Sequence, residues 1–213
     1  MAALARYLRA LTTSPRSDQG FNALETTNLL NVLNNLNLEL IDGFNAVKTI
    51  GRLFIYLNPN LLSMDGFGAL ESATEITIIE NGRFLSNGPI QTVPTFPSLT
   101  TVSNKIDIVE NRNLVDIPGF NALTDVKEIG IAKHQSLEDI SGFNSLTDIG
   151  ALRIRQNTLS AITGFTALQR AGRVELSVSG GPLTSLAGVR ASPTRAARRL
   201  ARSRSFARRR PTL

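Results

Sequence analysis

The chain has 213 residues, 42% of them hydrophobic and 19% charged, which suits one domain around a single core. It contains no cysteine, so disulfide frameworks, thiolate metal sites and cysteine nucleophiles are excluded. The formal charge of +6 is split unevenly: residues 1–189 hold 14 Lys and Arg against 17 Asp and Glu, whereas residues 190–213 hold nine Arg and no acid, so the mildly acidic body is not expected to offer nucleic acid a binding face along its whole length.

Residues 1–19 place Leu4, Tyr7, Leu8 and Leu11 at helical spacing, with no acid before Asp18. Arg6 and Arg9 interrupt the stretch, so no secretory signal is visible in it, and the compartment stays open. The segment is expected to be an amphipathic helical cap over an open first coil, or a targeting segment. Asn, Asp or Gly breaks every apolar stretch within a few residues, and no membrane-spanning helix is expected.

Residues 20–189 repeat. A Gly-Phe pair recurs at Gly20-Phe21, Gly43-Phe44, Gly66-Phe67, Gly119-Phe120, Gly142-Phe143 and Gly164-Phe165, with Thr95-Phe96 and Gly188-Val189 as degenerate copies. The steps are 23, 23, 29, 24, 23, 22 and 24 residues, and a fixed period of this size is the signature of a solenoid. Counted from each Phe, apolar residues stand at offsets 0, 3, 6, 9, 11, 17 and 20, as in Phe44, Val47, Ile50, Leu53, Ile55, Leu61 and Met64. The two-residue interval between offsets 9 and 11 predicts short parallel strands with inward pairs such as Leu53/Ile55 and Ile129/Ile131. The three-residue intervals predict turns, with short 3₁₀ or helical segments after each Phe, and the preceding Gly is expected to supply a positive φ. About seven coils are expected.

Offset 14 carries Asn35, Asn58, Asn81, Asn111 and Asn157, expected to be buried amides that satisfy the turning backbone. His134, the one histidine, takes this place in its coil and is expected to replace an asparagine rather than to catalyse, since imidazole can also donate and accept. The long step arises around Asn87-Gly88-Pro89-Ile90-Gln91, expected to bulge as a loop. Residues 190–213 cannot continue the apolar pattern and are expected to form a disordered Arg-rich tail. Such a tail is the only part expected to offer nucleic acid or an anionic surface a contact.

The unit Leu-x-Ile-x-x-Asn-x-x-Leu-x-x-Ile-x-Gly-Phe-Asn-x-Leu, repeated from about residue 20 to 188, resembles the leucine-rich repeats of the receptor L-domain type. That resemblance implies a leucine-rich-repeat solenoid and points towards a cell-surface or extracellular setting. Cysteine is absent here, so the receptors' cysteine-rich neighbour and their signalling do not carry over.

No nucleophile motif, phosphate-binding glycine loop or metal-ligand cluster stands in the sequence; no catalytic role, cofactor or metal is expected. In a parallel solenoid the outward strand positions form one face, where ligands usually bind. The candidate ligand-binding residues are Leu33, Phe54, Tyr56, Ile79 and Val109, an apolar cluster, with Arg153, Arg155 and Arg173 as a basic patch. The expected partner is a protein or a glycan. The alternative is a structural role in which solenoids stack on one another.

Overall fold

The computed structural model describes residues 6–9, 21–81, 92–178 and 183–187. Eight strands form one sheet in chain order: β1 (Arg6–Arg9), β2 (Thr26–Leu33), β3 (Thr49–Tyr56), β4 (Ser72–Ile79), β5 (Thr101–Val109), β6 (Asp125–Ala132), β7 (Asp148–Asn157) and β8 (Arg170–Val178). Every neighbouring pair is parallel. The chain is a parallel β-solenoid of about six turns with a repeat near 23 residues. About seven coils were expected; the unit after Phe165 soon runs into residues outside the described ones.

The register realises the repeat. Leu30, Leu53, Ile76, Ile106, Ile129, Leu152 and Val174 pair in sequence, as do Val32, Ile55, Ile78, Ile108, Ile131, Ile154 and Leu176. From Leu53 to Ile154 these side chains are 0% exposed, since each coil is roofed by the same side chain of the next. The phenylalanines stack likewise. Ring centroids lie 5.3 Å apart for Phe21–Phe44 and 4.9 Å apart for Phe120–Phe143 and Phe143–Phe165.

Two local expectations need correction. Among the described residues there is no helix of any kind. The turn after each Phe closes with one bond, Val47 N–H to the Phe44 carbonyl at 3.0 Å for instance, and goes no further. The next amide is taken by the preceding coil: Lys48 N–H donates to Glu25 O at 2.8 Å, Thr124 to Thr100 at 2.9 Å and Gln169 to Thr147 at 2.8 Å. Pairing between coils thus removes the donor that a second 3₁₀ bond would need.

The glycine of the Gly-Phe pair also works differently from the expectation. The left-handed backbone falls on Phe120 (φ 65°), Phe143 (φ 62°) and Phe165 (φ 57°), not on the glycine before them. What the glycine permits is close approach. A Cβ on Gly119 would stand 2.5 Å from the Pro94 carbonyl oxygen, and one on Gly142 or Gly164 would run into the carbonyl oxygen of Gly119 or Gly142. The coils touch through backbone at this corner.

The described part of the N-terminal segment is extended. Where a helical cap was expected, Arg6–Arg9 pair as strand β1, Tyr7 opposite Asn31. A strand satisfies the free edge of β2, which a helix cannot do. The rest of 1–19, the insertion around Asn87 and the tail 190–213 lie outside the described residues.

Candidate functional site

The strand ends are where the chain turns from the outward face into the core. Asn34, Leu57, Glu80, Glu110, Lys133 and Gln156 all have φ between 52 and 61°, so β2 to β7 each carry one left-handed residue at or just past the C-terminal end. Next comes the buried asparagine. Asn58 donates from Nδ2 to Val32 O of the preceding coil at 2.9 Å, and its Oδ1 accepts the Asn35 amide at 3.1 Å. Asn81 repeats this with Ile55 O and the Asn58 amide, at 2.9 and 3.2 Å. These amides fasten the corner that holds the outward face.

His134 stands in this ladder and is 1% exposed. Its Nε2 lies 3.0 Å from Ile108 O, the place an asparagine Nδ2 takes elsewhere, and its Nδ1 lies 3.0 Å from Asn111 O. Burial holds its pKa below the usual histidine value. Both ring nitrogens thus face backbone carbonyls of the preceding coil.

Three outward columns run across the sheet. One contains Leu33, Tyr56, Ile79, Val109, Ala132, Arg155 and Ser177; the second Asn31, Phe54, Thr77, Asp107, Gly130, Arg153 and Glu175; the third Leu29, Arg52, Glu75, Lys105, Glu128, Ala151 and Arg173. At roughly 4.8 Å per rung the face is on the order of 30 Å long. Leu33, Tyr56, Ile79 and Val109 therefore stand side by side on four successive strands, and Phe54 lies one column over. Tyr56 is 38% exposed, one of two large hydrophobic residues most open to solvent among those described. Leu33, Phe54, Ile79 and Val109 are half-buried.

Arg153, Arg155 and Arg173 come together on β7 and β8, separated from the apolar group by the β6 rung of Gly130 and Ala132. They are ion-paired. Arg153 meets Glu128, Arg155 meets Glu175 at 2.6 Å, and Arg173 meets the same Glu175 at 3.1 Å. The Arg155 contact holds the Glu175 carboxyl below its ordinary pKa, and the carboxylate in turn raises that of Arg155. The patch is thus three guanidiniums around two carboxylates. Glu128 escaped notice in the sequence because its significance lies in the register, which sets it beside a residue 25 positions on.

Beside the apolar group, on β4 and β5, sits a third cluster. Lys105 reaches Asp107 at 2.7 Å and Glu75 at 3.1 Å, and its pKa is raised, chiefly by the hydrogen bond to Asp107. Asp107 leans over Gly130, where a Cβ would stand 2.5 Å from its Oδ1. Among the described residues no three His, Asp or Glu side chains are grouped to hold a metal ion.

The class this fold defines is a parallel β-solenoid repeat protein with one continuous outward sheet face. Compared with protein families, curated proteins and solved structures, the chain matches none of them.

Proposed function

We propose that this protein is a non-catalytic recognition scaffold, a leucine-rich-repeat solenoid of the receptor L-domain-like type, that takes a protein or glycan ligand on the outward face of its sheet. The observation that carries the reading is the column of Leu33, Tyr56, Ile79 and Val109, in register on four strands with Phe54 beside it. Isolated surface hydrophobes need no explanation, but a contiguous group containing two aromatic rings on a rigid sheet has the composition of a binding hot spot. The leucine-rich-repeat assignment is supported by the 23-residue interval, the asparagine ladder and the Gly-Phe corner.

Leu33, Phe54, Tyr56, Ile79 and Val109 anchor the ligand in this reading. Arg153, Arg155 and Arg173 orient it, exchanging part of their pairing with Glu128 and Glu175 for polar groups of the ligand.

The test is a screen of the purified chain against a glycan array and a displayed peptide library, followed by titration of the strongest binder. Phe54→Ser with Tyr56→Ser is expected to weaken that binding at least tenfold, on the order of 2 kcal/mol, with the circular dichroism spectrum unchanged. Unchanged affinity in the double variant would refute the assignment of this face.

A further inference from the structure

Among the described residues β8 is the last strand of the sheet, and no described strand pairs with its outer edge. The core is also incompletely roofed there. Ala171, Val174, Leu176 and Val178 of β8, with Leu183 and Leu186 beyond it, are only partly buried, whereas their counterparts Leu152 and Ile154 one coil earlier are 0% exposed. An edge that no described strand covers, over a partly open apolar end, can take another strand, and two of the usual guards against that do not stand on β8. Arg170–Val178 contains no proline, and its charges, on Arg170, Arg173 and Glu175, stand on the outward side rather than pointing into the core.

The side-chain order of β8 favours one occupant. In an antiparallel pair, residues directly opposite each other share a face of the sheet. Two copies of β8 related by a two-fold axis at Val174 place Arg173 opposite Glu175 of the second copy, and Glu175 opposite its Arg173. Moving the axis to Arg173 would set arginine against arginine, and moving it to Glu175 would set glutamate against glutamate. Like charges directly opposite destabilise a pair, so both neighbouring registers are disfavoured. Arg173 is 62% exposed, and its contact with Glu175 uses one of the five guanidinium donors, so it can take a second carboxylate.

We propose that β8 is a self-association edge: two copies of the chain join β8 to β8, antiparallel about Val174, so that their sheets become one continuous sheet and their open core ends cover each other. Such an interface is isologous and closes at two subunits. It leaves the apolar columns on β2–β5 of both copies free on the outward face.

The absence of cysteine supplies the test. The purified 213-residue chain is expected to scatter light as a dimer of about twice its 23.1 kDa. Oxidised Val174→Cys is expected to run as a disulfide-linked dimer, because opposite residues in an antiparallel pair stand roughly 4.5–5.5 Å apart between Cα atoms, within disulfide range. Ser177→Cys, three residues from the axis in each copy, is expected to stay unlinked. Glu175→Arg is expected to raise the dimer dissociation constant at least tenfold, and Arg173→Glu combined with Glu175→Arg to restore it, which loss of the Arg155 contact alone would not allow. A chain that stays monomeric at the highest attainable concentration overturns the proposal, as does a dimer that links through Ser177→Cys but not Val174→Cys.

Discussion

His134 is the residue at which the asparagine ladder departs from its own rule. A neutral imidazole has one N–H, yet its two ring nitrogens each face a carbonyl oxygen at 3.0 Å, so one of them meets an acceptor without a proton. Protonation would supply the second donor, but burial opposes the charge and lowers the pKa. The ring is therefore neutral in the fold, while the unfolded chain takes up a proton below about pH 6.5. The stability that depends on neutral His134 is fully present above that pH and is lost as the pH falls through it towards the lowered folded value. Urea unfolding at pH 7.5 and 5.5 should show the midpoint dropping at the lower pH, with a smaller drop in His134→Asn. At pH 7.5 that variant, which restores the amide of the other rungs, is expected to be more stable by about 1 kcal/mol. A variant less stable than the parent at both values would contradict this account.

At the level of the elements, the ladders set both the strength of the fold and how far the sequence could be read. Offsets 9 and 11 announced the inward pairs because strand alternation is local, and the buried asparagines announced themselves because a polar residue recurring among apolar ones needs a structural reason. Those readings hold except at Asn35, which is half-buried. The turns after each Phe, the role of the glycines and the pairing of Arg153 with Glu128 were not legible, since each depends on the neighbouring coil: a donor taken by Glu25 O, a carbonyl close to Gly119, a carboxylate one register column away. Thr26–Leu33 and Thr49–Tyr56 pair over eight residues each, well beyond the alternating pair that marked them. The asparagine rungs can be tested directly. Asn58→Ala leaves the Val32 carbonyl and the Asn35 amide without their partner in a buried corner, and is expected to cost roughly 2–3 kcal/mol in denaturant unfolding. Asn45→Ala removes only an exposed bond to Asp42 O and should cost less than about 1 kcal/mol.

For the whole molecule, the register across the sheet means that nearly every contact joins residues one coil apart. Among the described residues strand contacts are confined to sequential neighbours, β1 with β2 through β7 with β8, and no strand touches one two places away. Stability is then approximately a sum of coils and the interfaces between them. One consequence concerns length itself. The molecule tolerates change in whole periods and resists it in fractions. Deleting residues 44–66 joins Gly43 to Phe67, which keeps the Gly-Phe corner and brings Phe21 against Phe67 and Asn35 against Asn81. The product is expected to fold cooperatively with a modestly lower unfolding midpoint. Removing residues 44–54 instead puts every later side chain out of phase with β2, and that chain is expected to lose its first coil. A reading frame built this way can grow or shrink by duplicating or losing one 23-residue segment without redesign of the rest, so the number of coils is the most freely varied property of the fold and the corner chemistry the least.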